Sequence, residues 1–252
     1  MTEQIQLETR DRVLHITFNR PDKKNALTHA MYARIVEAMR AAEDDEGVRA
    51  ILFTGAGDAF TSGNDLADFR DTPPLGDDAP VTQFLQCLIS ARKPLVMAVN
   101  GIAVGVGLTM LLHADIVYAA EAAVLQAPFV DLALVPEAGS SLLLPQRVGH
   151  ARAAEIFMLG KKVGAAEAYD MGMVSRVLKA DELMPAAVKA AAALAKKAPR
   201  SLMLTKQLMR GDTAVVAARM AQEGKLFGEQ LTSPEVLEAI MAFMQKREPN
   251  FG

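Results

Sequence analysis

In the run Leu134-Val135-Pro136-Glu137-Ala138-Gly139-Ser140-Ser141, one carboxylate stands where the chain carries no other charge between Asp131 and Arg147. Apolar surroundings disfavour the charged form of a carboxyl group, so its pKa rises and it becomes a proton shuttle able to work near neutrality. The competing reading makes Glu137 an ordinary first-turn glutamate, stabilised by the dipole of the helix it opens. Two glycine-rich turns supply the other half of a candidate site: Gly55, Gly57 and Gly63 in one, Gly101, Gly105 and Gly107 in the other. Residues without bulk let a ligand approach backbone N–H groups. Two such turns facing each other could hold a carbonyl oxygen that becomes negative during reaction, an oxyanion hole. The same glycines could instead serve only the close packing of helix on strand.

Other chemistries find no support. The spacing around Gly101 is GxxxGxG rather than GxGxxG, and GxxxxGK[ST] does not occur, so a nucleotide-binding loop is not indicated. A GxSxG turn for a serine hydrolase is also absent. His15, His29, His113 and His150 lie far apart, and Cys87 is the one cysteine, so neither a metal site nor an internal disulfide is expected. A lone cysteine fits a reducing compartment, most simply the cytoplasm. The 27 basic and 30 acidic residues leave a net charge of −3, which argues against a nucleic-acid partner.

The chain has 252 residues, 51% hydrophobic and 23% charged, which is globular material with ample core. At about 150 residues per domain this is one large domain or a domain with a helical appendage. The start, Met1-Thr2-Glu3-Gln4, shows no basic-then-apolar pattern of a secretory signal. Residues 95–112 are 18 in a row without charge, near the lower limit for a membrane span. Asn100-Gly101, Gly105 and Gly107 interrupt them, so a buried strand, a tight turn and a buried helix are expected there, and no membrane segment.

These functional residues need elements to place them. Leu14, Ile16 and Phe18 alternate with period two, a strand that Arg20-Pro21-Asp22 ends. Thr28 is a candidate N-cap for a helix with Met31, Ile35 and Met39 on one face. The cluster Glu43-Asp44-Asp45-Glu46 reads as a solvated loop. A unit of apolar strand, small-residue loop and helix then recurs at a spacing of about 40 residues, with strands at 50–53, 94–99 and 124–126, which predicts an α/β fold and is compatible with a stacked spiral. Residues 71–80 hold three prolines and three aspartates and form a loop. Beyond Asp181, helices are expected at 186–197, 201–209, 214–231 and 233–246. The last carries an apolar stripe of Val236, Ile240, Phe243 and Met244 that must be buried on the main body or on another subunit.

The chain resembles the crotonase superfamily, the enoyl-CoA hydratase/isomerase family, over essentially its whole length. The resemblance rests on Asn19-Arg20-Pro21-Asp22-Lys23-Lys24-Asn25-Ala26-Leu27, Phe60-Thr61-Ser62-Gly63-Asn64-Asp65-Leu66, Ala98-Val99-Asn100-Gly101-Ile102-Ala103-Val104-Gly105-Val106-Gly107, His113-Ala114-Asp115 and the closing segment 243–251. It implies an α/β spiral of strand-strand-helix turns, with an acyl-CoA-binding catalytic core over residues 1–195 and a C-terminal helical trimerisation region over 196–252, assembled as a homotrimer or a dimer of trimers. The substrate implied is an acyl-CoA thioester, with coenzyme A part of the substrate and no metal, nicotinamide or flavin. By the same resemblance, the N–H groups of Ser62 and Val106 form the oxyanion hole. Lys23, Lys24, Ala26 and the stretch Ser62, Gly63, Asn64, Asp65 and Leu66 contact the CoA moiety.

Departures from the family narrow the chemistry. The two glutamates with which its hydratases add water are replaced by Thr109 and Phe129. Glu137 matches instead the single catalytic glutamate of peroxisomal-type Δ3,Δ2-enoyl-CoA isomerases, which residues 62–66 and 69–74 also resemble. The expectation is therefore an isomerase moving the double bond of 3-enoyl-CoA to the 2-position. The alternatives are a hydratase or other lyase using Asp131 or Glu137, and a non-catalytic acyl-CoA-binding scaffold.

Overall fold

The computed structural model describes residues 3–71, 76–245 and 247–252. A hairpin opens the chain, β1 (Ile5–Arg10) antiparallel to β2 (Val13–Phe18), followed by α1 (His29–Asp44). Thr28 caps α1 as its type predicts, its hydroxyl accepting from the Met31 amide at 3.3 Å. The chain then runs through β3 (Ala50–Gly55), β4 (Ala59–Thr61) and α2 (Leu66–Asp71), with α3 (Pro80–Ser90) inserted before the next turn. That turn is β5 (Leu95–Val99), β6 (Ile102–Val104) and α4 (Val106–Thr109), which continues into a 3-10 turn, Met110–His113. The third comprises β7 (Ile116–Ala120), β8 (Val124–Gln126) and α5 (Ser140–Val148).

Each turn thus gives one strand to each of two sheets. The larger has the order β1-β2-β3-β5-β7 and the smaller β4-β6-β8, with parallel pairing throughout except at the opening hairpin. The sequence shows only one strand per unit because three-residue strands such as β4 and β6 carry too little alternation to detect, and the third strand it does show, at 124–126, is β8 of the small sheet. β7 escaped for the same reason of pattern, since a strand buried within a parallel sheet need not alternate. The first strands therefore start at 50, 95 and 116 rather than every 40 residues or so. After α5 come α6 (His150–Met158), β9 (Val163–Gly164), α7 (Ala165–Asp170) and β10 (Arg176–Leu178); β9 and β10 complete the small and large sheets.

Four helices finish the chain: α8 (Ala180–Ala195), α9 (Pro199–Arg210), α10 (Thr213–Leu231) and α11 (Pro234–Gln245). On one face of the large sheet, Ala187, Ala191 and Ala195 of α8 pack against Ala50, Leu52, Val96 and Ala98. Small side chains at i, i+4 and i+8 let the helix lie close on the strands. On the other face, Leu14, Ile16 and Phe18 join Ile51, Phe53 and the α1 stripe in the main core. Both faces are covered, so β3 and β5 are apolar at nearly every position.

Two expectations need correction. Glu43 and Asp44 close α1 rather than lie in a loop, and Glu43 accepts from the Arg92 and Lys93 amides at 3.0 and 3.2 Å. On α11 the buried residues are Val236, Ala239 and Ala242, with Ile240 half-buried; the Phe243 and Met244 side chains, like residues 72–75 of the 71–80 loop, lie outside the described residues. The stretch 95–112 folds as two strands and two short helical turns, and among the described residues no helix is long and apolar enough to cross a membrane. The helices beyond 195 are laced to the preceding chain: Lys206 donates to the Lys93 carbonyl and pairs with Asp115 at 2.7 Å, and Arg210 reaches the carbonyls of Leu88, Ile89 and Ala91.

Candidate active site

Two loops from successive spiral turns meet at the edge of the small sheet. In the first, the Thr61 hydroxyl donates to the Asn25 carbonyl at 2.7 Å and accepts from the Gly63 amide at 3.1 Å. Gly63 has φ +93°, and a Cβ there would lie 2.9 Å from the Val104 carbonyl oxygen, so only glycine allows this loop to abut the second. In the second loop, Gly105 at φ 57° and ψ −117° turns the chain from β6 into α4. Among the described residues, no hydrogen bond takes the amide of Val106, the first residue of α4.

The first loop corrects the sequence reading. The Ser62 N–H donates to the Lys24 carbonyl at 2.9 Å, so it is spent and cannot also hold a substrate oxygen. Among the described residues, the amide of this loop that no hydrogen bond takes is that of Asn64. Its neighbours are pinned to one residue: the Leu27 amide donates to Gly63 at 2.8 Å, and the Asp65 amide donates to Leu27 at 2.9 Å. In such a parallel bridge the flanked residue turns its own N–H away from the partner strand. Its side chain is held as well, with the Tyr32 hydroxyl donating to Asn64 Oδ1 at 2.5 Å.

Glu137 lies three residues before α5, not within its first turn, which removes the helix-dipole reading. Ala138 and Gly139 take left-handed conformations (φ 62° and 70°), and this sharp turn is clamped from three directions. The Thr109 hydroxyl, on α4, donates to Glu137 Oε1. His113 Nε2 lies 2.7 Å from the Ala138 carbonyl, which can only accept, so that nitrogen carries the proton. Glu223 of α10, 5% exposed, accepts from the Gly139 and Ser141 amides at 2.6 and 2.9 Å.

These contacts set the titration of the site. Burial pushes the Glu137 carboxyl up to about 7; the Thr109 hydrogen bond works against this and the Glu223 charge adds to it. Burial, with the Glu137 charge, also holds the Tyr32 phenol well above its usual range, so it stays a neutral donor. His113 is depressed to about 4, chiefly by burial, against the Ala138 hydrogen bond. The arrangement is a carboxyl group poised to exchange a proton at neutral pH, one hydrogen bond from the helical turn whose first amide is open.

The remaining candidates are spread over the rim. Lys23 and Lys24 are exposed, and Lys24 pairs with Asp58 at 2.7 Å. Ala26 is half-buried, and its carbonyl accepts from Arg20. Asp65 is a fastening: it pairs with Arg20 at 2.6 Å and accepts from the Ala67 and Asp68 amides at the start of α2, where Leu66 is the first residue. Asp131 is exposed and Phe129 is buried against Phe157. Among the described residues no three His, Cys, Asp or Glu side chains come together as a metal ion requires. A cavity of about 360 Å³ lies elsewhere, at the amino ends of β3 and β5, lined by residues including Glu43, Arg49, Arg92 and Lys197. Tyr32 and Glu223 carry no sequence signal, since each looks like one more residue of a helix and meets the site only through the fold.

The sequence profile of the enoyl-CoA hydratase/isomerase family matches residues 8–252. The chain is 36% identical over 242 residues to enoyl-CoA delta isomerase 2 of Rattus norvegicus, covering 93% of this chain and 62% of that protein, so it spans less than two thirds of this relative's length. It is 34% identical to 2,3-dehydroadipyl-CoA hydratase of Escherichia coli (strain K12), with 95% of each covered. A crystal structure of an enoyl-CoA hydratase/isomerase from Pseudoalteromonas atlantica T6c superposes with a TM-score of 0.96 at 43% identity, covering 99% of this chain and 100% of that one.

Proposed function

The chain belongs to the enoyl-CoA hydratase/isomerase family and has the crotonase fold, and from that premise we propose that it is an isomerase of acyl-CoA thioesters that moves a double bond from the 3- to the 2-position. The observation that carries this reading is Glu137 itself, raised to about 7 beside Thr109, where the family's hydratases place a glutamate. The other acid of the site, Glu223, has both carboxylate oxygens engaged by backbone amides and is not free to activate water.

The chemistry needs one base. Glu137 takes a proton from C2 of the 3-enoyl thioester, and the electron pair delocalises into a dienolate whose charge rests on the thioester oxygen. The amides of Asn64 and Val106 receive that charge. Returning the same proton to C4 places the double bond between C2 and C3, in conjugation, with no net loss or gain of atoms. Losing one such donor typically costs about 10² to 10³ in rate. Lys23 and Lys24 at the rim suit the phosphates of CoA. Leu208, Met209, Leu237 and Met241 stay exposed on the C-terminal helices, apolar surface that further copies of the chain would cover as a trimer.

Mixing the protein with 3-enoyl-CoA tests the reading. Conjugation absorbance should rise, whereas incubation with 2-enoyl-CoA should leave it nearly unchanged. Glu137→Gln keeps an oxygen for the Thr109 hydroxyl and should lower kcat by about 10²-fold or more, with thioester affinity retained. A fully active Gln variant, or loss of absorbance from 2-enoyl-CoA alone, overturns the proposal.

A further inference from the structure

We propose that Tyr32 is a positioning residue for this site, fixing through its hydrogen bond to the Asn64 side chain the loop whose main-chain amide receives the thioester oxygen. The inference rests on the reading of the Asn64 amide as one of the two donors. Tyr32 is fully buried in α1, its ring tilted against Phe84 at 5.3 Å between centroids. Phenylalanine would fill that core equally well, so packing leaves the hydroxyl unexplained. Its partner explains it: the phenol donates to Asn64 Oδ1 at 2.5 Å, a short bond reaching the loop from a separate helix.

The main-chain bridge to Leu27 holds Gly63 and Asp65, the residues on either side, but leaves Asn64 free to rock about the line between them. The side-chain bond to Tyr32 removes that freedom. A donor aimed before the charge develops is worth more than one that must reorient. Because the phenol stays protonated, the anchor does not switch off over the pH range in which Glu137 titrates.

The test is a cycle of Tyr32→Phe, Asn64→Ala and the double variant. Asn64→Ala keeps the backbone amide and removes only the anchor point. Each single change should lower kcat on 3-enoyl-CoA about tenfold, less than the 10² to 10³ of losing a donor outright, with KM within about twofold. The double variant should be no worse than either single one, because both break the same bond. The carbonyl stretch of bound, carbonyl-labelled butanoyl-CoA gives a readout free of turnover: its shift to lower frequency should shrink equally in both variants. Additive losses, a change confined to KM, or an undiminished carbonyl shift overturns the inference. A wild-type protein that polarises the carbonyl but does not isomerise overturns the functional reading alone, and one that binds no acyl-CoA overturns both.

Discussion

Glu137 is pulled in two directions by its neighbours, and Thr109 is the one that favours the carboxylate. Burial raises the group to about 7 and the Thr109 hydroxyl stops it rising further. Thr109→Val keeps the shape of this buried side chain and removes the donor. A hydrogen bond to a charged group contributes about 1.5–3 kcal/mol, so kcat/KM at pH 6 should fall by about tenfold or more while the rate at pH 9 changes little. A pH–rate profile whose acid limb stays in place would show that the bond does not reach the ionised form. At this scale the sequence reveals which carboxyl group is left without charged neighbours along the chain but not which amides are free. Glu137 stands out because no charge surrounds it. The open amide of the Ser62-Gly63-Asn64 loop lies two residues beyond the expected one because the Ser62 amide is consumed by the Lys24 carbonyl, a pairing that only the folded chain creates.

Helix α5 begins without a cap of its own: its N-cap is Gly139 in a left-handed conformation. Glu223, on α10, supplies the missing acceptor by taking the Gly139 and Ser141 amides, and so ties the turn of Glu137 to the C-terminal helices. Removing a side-chain cap costs about 0.5–2 kcal/mol, and the buried Glu223 serves two amides. Glu223→Ala should therefore lose about 2 kcal/mol in a denaturant melt and lower kcat, because the turn loosens. Glu223→Gln keeps one acceptor oxygen but sets its NH2 against the other amide, so it should also lose stability, about 1–3 kcal/mol. It should move the acid limb of the pH–rate profile down, since the Glu223 charge pushes Glu137 up. Caps made within a few residues are legible in the sequence. Thr28 opens α1, and Ser233 opens α11, with the Val236 amide at 3.2 Å from its hydroxyl. A cap delivered across more than 80 residues of chain is not legible, and neither are strands as short as β4 and β6, whose identity comes from the neighbours they pair with.

For the whole molecule, a carboxyl group buried as deeply as that of Glu137 is a cost to the fold, and the cost depends on pH. Glu137 titrates at about 7 when folded, against 4.5 for a glutamate in water, so between these limits the folded state holds more proton than the unfolded one and stability falls as pH rises. His113 does the reverse: depressed to about 4 from 6.5, it binds less proton when folded, and stability rises with pH across that window. Between pH 4.5 and 6.5 the two slopes oppose each other, and the wild-type curve should be nearly flat from these groups. Glu137→Gln removes one of them. The variant should gain only about 0.4 kcal/mol at pH 4.5, where the wild-type carboxyl is protonated in the fold, and up to about 3 kcal/mol at pH 8, less whatever solvent access relieves. Urea melts of both proteins at the two pH values measure this directly. A gain that is the same at both would mean that the carboxylate is not strained by its surroundings, and the poised base would lose its physical footing.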